Sequence, residues 1–281
     1  MVEFLHLGGT RVVCVGHMVL SRPSEKPLVG FPPRITTSQI QPPFVAIRRE
    51  VFPMSAEKPR ERPILFNDQM VRAILEGRKT ATRRIAKPVK HPDLGNIYAP
   101  GALVLEREPQ HVIDRACPYG QPGDRLWVRE AWGVISNTWD ESGNMVDWTP
   151  DRPATPIRDL PFGSGYYSGH AIYAADGPME WAGDDDGGGE SRSAWKPSIH
   201  MPRAISRILL EITAVRVERL QDISEEQARA EGYPAERECE TGGSGLDAWL
   251  WFRSLWGEIN GPEAFAANPW VWVVEFKRVT P

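Results

Sequence analysis

Lys79 and Thr82 stand three residues apart in "EGRKTATRRIAKPVK" (76–90), a stretch with six basic residues and two threonines. A lysine beside a hydroxyl offers one specific chemistry. A neutral amine draws a proton from the hydroxyl, or from water, and makes that oxygen a nucleophile. The lysine pKa must then fall from about 10.4 toward about 7–8. Burial and the neighbouring Arg83 and Arg84 push that way, while carbonyls at a helix end push back. Two other readings stay open. Charge runs are commonly solvated faces. Arg78, Arg83 and Arg84 are also suited to clamp a phosphate or a nucleic-acid backbone, although the GxxxxGK[ST] frame of a P-loop is absent. Glu231 is the third residue of interest. It ends "SEEQARAEG", where a helix dipole opposes a carboxylate, so helix stability does not ask for it; its plain alternative is a surface carboxylate.

The elements that must position these residues are legible around them. "PILF" is a short strand. Asn67 or Asp68 caps a helix through "DQMVRAILEG", in which Met70, Val71, Ile74 and Leu75 form one apolar face. Gly77 supplies the left-handed stop, leaving Lys79 and Thr82 just past a helix C-terminus. "PYGQPGDRLWVREAWG" (118–133) reads as a turn and a strand. In "ISRILLEITAVRVERLQ" (205–221), Ile208, Leu210 and Ile212 alternate, then Val215 and Val217, with a phase change near Ala214 that suits a bulge. Ser224 and Gln227 form a capping box, and Gly232 and Pro234 end that helix. "LDAWLWFRSLWGEI" is a further helix and "NPWVWVVEFKRV" a closing strand. Strands outnumber helices, which predicts an α+β fold: a small mixed barrel with short flanking helices and an inserted lobe.

The lobe spans about 134–195, is rich in Gly, Asp and Pro, and has one strand signal in "YYSGHAIYAAD". Its "GDDDGGGE" run lacks the ordered ligand spacing of a calcium loop. Residues 1–62 form an extension without sustained periodicity, read either as a disordered tail or as upstream sequence. "RREV" is encodable as a purine-rich ribosome-binding sequence two codons before Met54, which predicts the true start there.

The remaining composition limits the function classes. A net charge of −4 excludes a wholesale nucleic-acid coat protein, so any basic surface is local. Cys14, Cys117 and Cys239 make no CxxC pair, and the six histidines have no HxH or HExxH spacing; no metal is expected. Sparse, odd cysteines suit a reducing cytosol, and no apolar run approaches the ~20 residues of a membrane span. Five of eleven tryptophans fall within 249–272; strand and core packing is the simpler reading, base stacking the alternative.

Four motifs in order, "ILEGRKTATRR", "GDRLWVRE", "ITAVRVERLQDISEEQARAEG" and "NPWVWVVEFKRV", resemble the ASCH domain, a PUA-like barrel family. "WKPSIHMPRAISRI" is similar to its longer phage and prophage members. The resemblance covers most of 63–281 apart from the lobe. It implies an amidohydrolase that removes the acyl group from the exocyclic nitrogen of N4-acetylcytidine and related nucleosides, without metal or cofactor. The family's catalytic lysine falls on Lys79, its threonine on Thr82 and its glutamate on Glu231. Arg78, Arg83 and Arg84 are the expected substrate-binding residues, with Arg83 and turn amides as oxyanion donors. The expected partner is a modified nucleoside in the cytoplasm, with no membrane. Two departures stand beside this: the chain is more than twice the length of the compact enzymes, and the doubled arginine exceeds what a nucleoside needs. The alternatives are therefore an RNA- or DNA-binding module and a phage assembly accessory protein.

Overall fold

A computed structural model describes residues 12–13, 58–179, 181, 194–234 and 246–280 of the chain. The expected start at Met54 and the acidic glycine run at 183–190 lie outside the described residues. The strands are β1 (Val12–Val13), β2 (Glu61–Leu65), β3 (Ala81–Ile85), β4 (Val89–Lys90), β5 (Ile97–Tyr98), β6 (Arg125–Arg129), β7 (Trp132–Ile135), β8 (Asn137–Trp139), β9 (Met145–Asp147), β10 (Thr155–Phe162), β11 (Gly165–Tyr173), β12 (Leu209–Arg219) and β13 (Trp270–Val279). The helices are α1 (Asp68–Leu75), α2 (Ala102–Leu105), α3 (Gln110–Ala116), α4 (Glu225–Ala230) and α5 (Asp247–Asn260).

The central sheet has the order β2-β6-β12-β13-β3, with β2 parallel to β6 and the other pairs antiparallel. Its two faces explain why "WVWVVEF" is apolar at both parities. Trp272, Val274 and Phe276 of β13 enter a core shared with α1, α3, β6 and β12. Val271 and Val273 enter a second core under α4 and α5, beside Ala228, Phe252 and Trp256. A strand buried on both faces reads as a continuous hydrophobic run.

The phase change in β12 is a bulge. Its pairing with β13 shifts between Ile212 and Ala214, leaving Thr213 as the extra, exposed residue. Ile212, Val215 and Val217 thereby all stay in the first core. The fold is α+β with mixed sheets and flanking helices, and the strand order is open among the described residues. In place of the expected closed barrel, a side chain links the two ends of the sheet: Arg84 Nη2 of β3 donates to the Leu65 carbonyl of β2 at 2.6 Å.

The expected lobe carries more strand than its sequence suggests. β10, β11 and β7 form an antiparallel sheet, and β8 pairs with β9 and β1. β10 is easily missed because it holds Pro156 and Pro161, tolerable in an edge strand that needs no complete hydrogen-bond ladder. A partly buried ion cluster fastens this sheet to the central one. Arg207 reaches both oxygens of Glu130 (3.0 and 2.9 Å) and of Asp176 (2.7 and 2.9 Å), with its guanidinium 3.9 Å from the Tyr173 ring. Among the described residues, no helix is long and apolar enough to cross a membrane.

Candidate active site

The backbone around Lys79 is tied to three elements. Lys79 N–H donates to the Ala73 carbonyl of α1 at 3.0 Å, and Thr80 N–H donates to the Ala230 carbonyl of α4 at 2.8 Å. The Thr80 carbonyl accepts from Phe276 N–H of β13 at 2.9 Å. Gly77, at φ +78°, makes the reversal out of α1 that places this turn. Opposite it, the capping box of Ser224 and Gln227 starts α4, and Glu231 is that helix's C-terminal cap. Lys79 and Glu231 then face each other as an isolated antiparallel bridge.

Their side chains meet inside the protein. Lys79 is 2 % exposed and Glu231 4 %. Lys79 Nζ donates to the Glu231 carbonyl at 2.9 Å and to Glu231 Oε2 at 2.7 Å. The other carboxylate oxygen, Oε1, accepts from Arg83 Nη1 at 3.1 Å. Arg83 is itself enclosed: Nε and Nη2 reach Glu218 Oε1 at 3.2 and 2.7 Å, and Nη2 also reaches Gln227 Oε1 at 3.1 Å. Glu218 continues outward to Arg216 at 3.0 Å, and Arg216 pairs in turn with Glu275.

Thr82 is buried and joins Glu231, Arg83 and Arg84 in the wall of a cavity of ≈ 220 Å³. The rest of that wall is largely apolar, with Met70, Tyr119, Phe252, Leu255, Trp256 and Ile259. Arg84 lies 5.3 Å from the Phe66 ring, and Lys79 Nζ lies 5.7 Å from the same ring. Arg78 stands apart. Its guanidinium binds Glu76 (Nε to Oε2, 2.7 Å) and the carbonyls of Gly232 and Tyr233 at 2.9 and 3.0 Å. It lines a wider cavity of ≈ 640 Å³ on the other side of Glu231. Four of the six expected site residues, Thr82, Arg83, Arg84 and Glu231, therefore line one small cavity, Lys79 is bonded to the last of them, and the basic turn is not a solvated face.

Two residues complete the cluster that sequence reading did not assign to it. Gln227 was visible only as a capping residue, yet its Oε1 accepts from both Ser224 N–H and Arg83. Glu218 carries a signal in its parity: after the bulge it alternates with Val217, and so faces the α4–α5 side.

Burial pushes the Lys79 pKa below its ordinary value; contact with Glu231 opposes this, and Arg84 and Arg83 add to it. The hydrogen-bond inventory fits the lowered direction. Among the described residues, Nζ has two acceptors, both from Glu231. A neutral amine uses its two N–H bonds on them and keeps its lone pair, while an ammonium has a third donor to place.

Gly232 is required by this arrangement. It follows Glu231 at φ +105°, and a Cβ there lies 2.9 Å from Ala73 Cβ and 3.2 Å from Lys79 Cβ. Gly232→Ala is expected to lose about 1–3 kcal/mol of stability from backbone strain and to displace the lysine. Thermal unfolding followed by circular dichroism checks this; an unchanged midpoint contradicts it.

Among the described residues, no group of three or more His, Cys, Asp or Glu side chains is placed to hold a metal ion. No known protein-family profile, no curated protein and no solved structure matches this chain.

Proposed function

We propose that this chain is an ASCH-type, PUA-like protein that hydrolyses the acyl amide on the exocyclic nitrogen of N4-acetylcytidine-like nucleosides. The observation that carries the reading is a fully buried lysine amine, 2.7 Å from a buried glutamate that walls the same cavity as a buried threonine. The lone pair of neutral Lys79 takes the proton of Thr82 Oγ1, or of a water, and that oxygen attacks the acyl carbonyl. As the C–N bond breaks, the Lys79 ammonium returns the proton to the leaving nitrogen. Glu231 orients Lys79 and stabilises its charged form. Arg83, expected from the resemblance as an oxyanion donor, is bound to three acceptor side chains here, and its part is to hold Glu231 in place.

The cavity size supports a small substrate. At ≈ 220 Å³ it falls below the range of about 300–1,000 Å³ for drug-sized ligands. A base with a short acyl group suits it. A phosphate clamp is poorly served, because Arg83 is buried with its donors engaged by Glu218, Gln227 and Glu231.

The test is chromatographic detection of cytidine from N4-acetylcytidine, run beside RNA and DNA binding at several salt concentrations. Turnover of the free nucleoside supports the proposal. No cytidine from this or longer N4-acyl nucleosides, together with steeply salt-dependent nucleic-acid affinity, establishes the binding module instead.

A pH profile follows from the site. Lys79 acts as a base only when deprotonated, so kcat/KM is expected to rise with pH through a pKa below 10.5. The stability linkage has the same sign. Between the lowered folded pKa and 10.5, the unfolded chain binds the proton and the folded chain does not, so folding stability increases with pH across that window. A kcat/KM that is flat or falls over the window contradicts a lysine base.

A further inference from the structure

The inserted lobe has a cavity of its own. Residues of β8, β9, β10 and β11 border ≈ 550 Å³, inside the range of about 300–1,000 Å³ typical of small-ligand sites. Strand alternation decides which side chains of β11 face it. Tyr167, Ala171 and Tyr173 pack into the lobe's core with Leu160 and Trp132. Tyr166, Ser168 and His170 therefore point to the opposite face, and all three line the cavity. Trp148, 5 % exposed, stands in the same wall and meets His170 in a T-shaped contact, ring centroids 5.6 Å apart. Asn137 and Asp147, directly opposite each other across β8 and β9, also line it.

β10 departs from regular pairing beside this cavity. Its register against β11 shifts between Ile157 and Leu160, so that Arg158 and Asp159 together oppose the single residue Ser168. Ile157 and Leu160 both stay on the core side, which leaves Arg158 to line the cavity. Asp159 takes φ +50°, a strained conformation outside glycine, and Ser168 holds it there. Asp159 N–H donates to Ser168 Oγ at 3.0 Å, and that hydroxyl donates to Asp159 Oδ1 at 3.3 Å. Ser136 Oγ in turn donates to the Ser168 carbonyl at 2.6 Å. A bulge fixed in this way aims a side chain, and Arg158, the one aimed, has no acceptor among the described residues. Asn137, Asp147 and Tyr166 likewise make no side-chain hydrogen bond or ion pair among them.

We infer that this cavity is a nucleotide site. A ligand that uses all four of these side chains has an aromatic plane for Tyr166, a hydrogen-bonding edge for Asn137, a hydroxyl or amino donor for Asp147 and an anion for Arg158. A nucleotide carries them together, as its base, its base edge, its ribose and its phosphate. It comes either free or as one unit of a single strand, two sources that share this chemistry. None of these residues lines the Lys79 cavity, so the inference does not rest on the deacylation reading.

The experiment is calorimetric titration of the full chain with adenosine 5′-monophosphate, with a six-nucleotide oligoadenylate RNA and with inorganic phosphate, at fixed ionic strength. A nucleotide ligand is expected to bind at least tenfold more tightly than phosphate. Arg158 is exposed, so Arg158→Met leaves the fold intact, and it is expected to weaken nucleotide binding tenfold or more. Tyr166→Leu, which keeps apolar bulk and removes the ring, is expected to weaken it about fivefold or more. Binding of the monophosphate, weakened in both variants, supports a site for free nucleotides; binding of the oligonucleotide alone, weakened in both, supports the same site with a strand as its source. No binding of either, phosphate binding as tight as nucleotide, or nucleotide binding that either variant leaves unchanged overturns the site, whether or not the chain deacylates N4-acetylcytidine.

Discussion

Lys79→Met is expected to lower deacylation by about 10²–10⁴-fold, the range in which a positioned acid–base group acts, and to leave a folded protein. Both halves follow from the partners of the amine. The only hydrogen bonds that Nζ makes among the described residues are to Glu231. Losing the lysine does not strand that glutamate, because Arg83 Nη1 remains 3.1 Å from Oε1. Methionine has similar length and volume, suits the Phe66 ring beneath it, and exchanges a buried amine for an apolar group. Kinetics and a melting curve on the same preparation decide the matter. Undiminished turnover removes Lys79 from the mechanism, whereas collapse of the fold shows that the lysine is structural.

Glu231→Ala is expected to act in the opposite way, mainly on the fold. The change leaves Lys79 and Arg83 side by side, both buried and both deprived of the same carboxylate. Breaking a buried pair from one side costs about 3–5 kcal/mol, which for a chain of this size corresponds to a midpoint lower by roughly 6–20 °C. Glu231→Gln keeps an acceptor oxygen and the shape, and is expected to lose less. The double variant Lys79→Met/Glu231→Ala supplies the decisive comparison. With the stranded lysine amine gone, it is expected to be more stable than Glu231→Ala alone, a non-additivity measurable in a double-mutant cycle by urea unfolding. Additive losses contradict the shared-carboxylate account.

Local features of the site were legible because they are encoded within a few residues of one another. Asn67 caps α1 through Met70 N–H, Gly77 takes the positive φ expected of it, and the capping box of α4 forms as its spacing predicts. The alternation in β12 disclosed the bulge. Glu231 drew notice because a carboxylate at a helix C-terminus has no local reason to be there. What the sequence hid are partnerships between distant positions. Arg83 and Glu218 are 135 residues apart, and Glu130 and Arg207 are 77 apart. An arginine whose charge is met by a distant strand reads, along the chain, as one more member of a basic run. The open strand order was hidden for a related reason: the same set of strands is compatible with a closed ladder or with two free edges, and only the pairing of β2 and β3 distinguishes them.

The extra residue in β12 has a consequence for how this site tolerates change. Side chains along a strand switch sides at every step, so the single insertion at Thr213 works as a frameshift in three dimensions. Before it, odd and even positions obey one assignment of inside and outside; after it, they obey the reverse. Without that residue, Val215 and Val217 exchange places with Arg216 and Glu218, which puts an acid in an oily core and leaves Arg83 without its main acceptor. Thr213 is exposed and makes no ladder pair, so its identity carries little information. Its presence carries a great deal. The arrangement around Lys79 depends on the length of a strand in another part of the chain, and a one-residue deletion there removes what many substitutions at the same position leave intact.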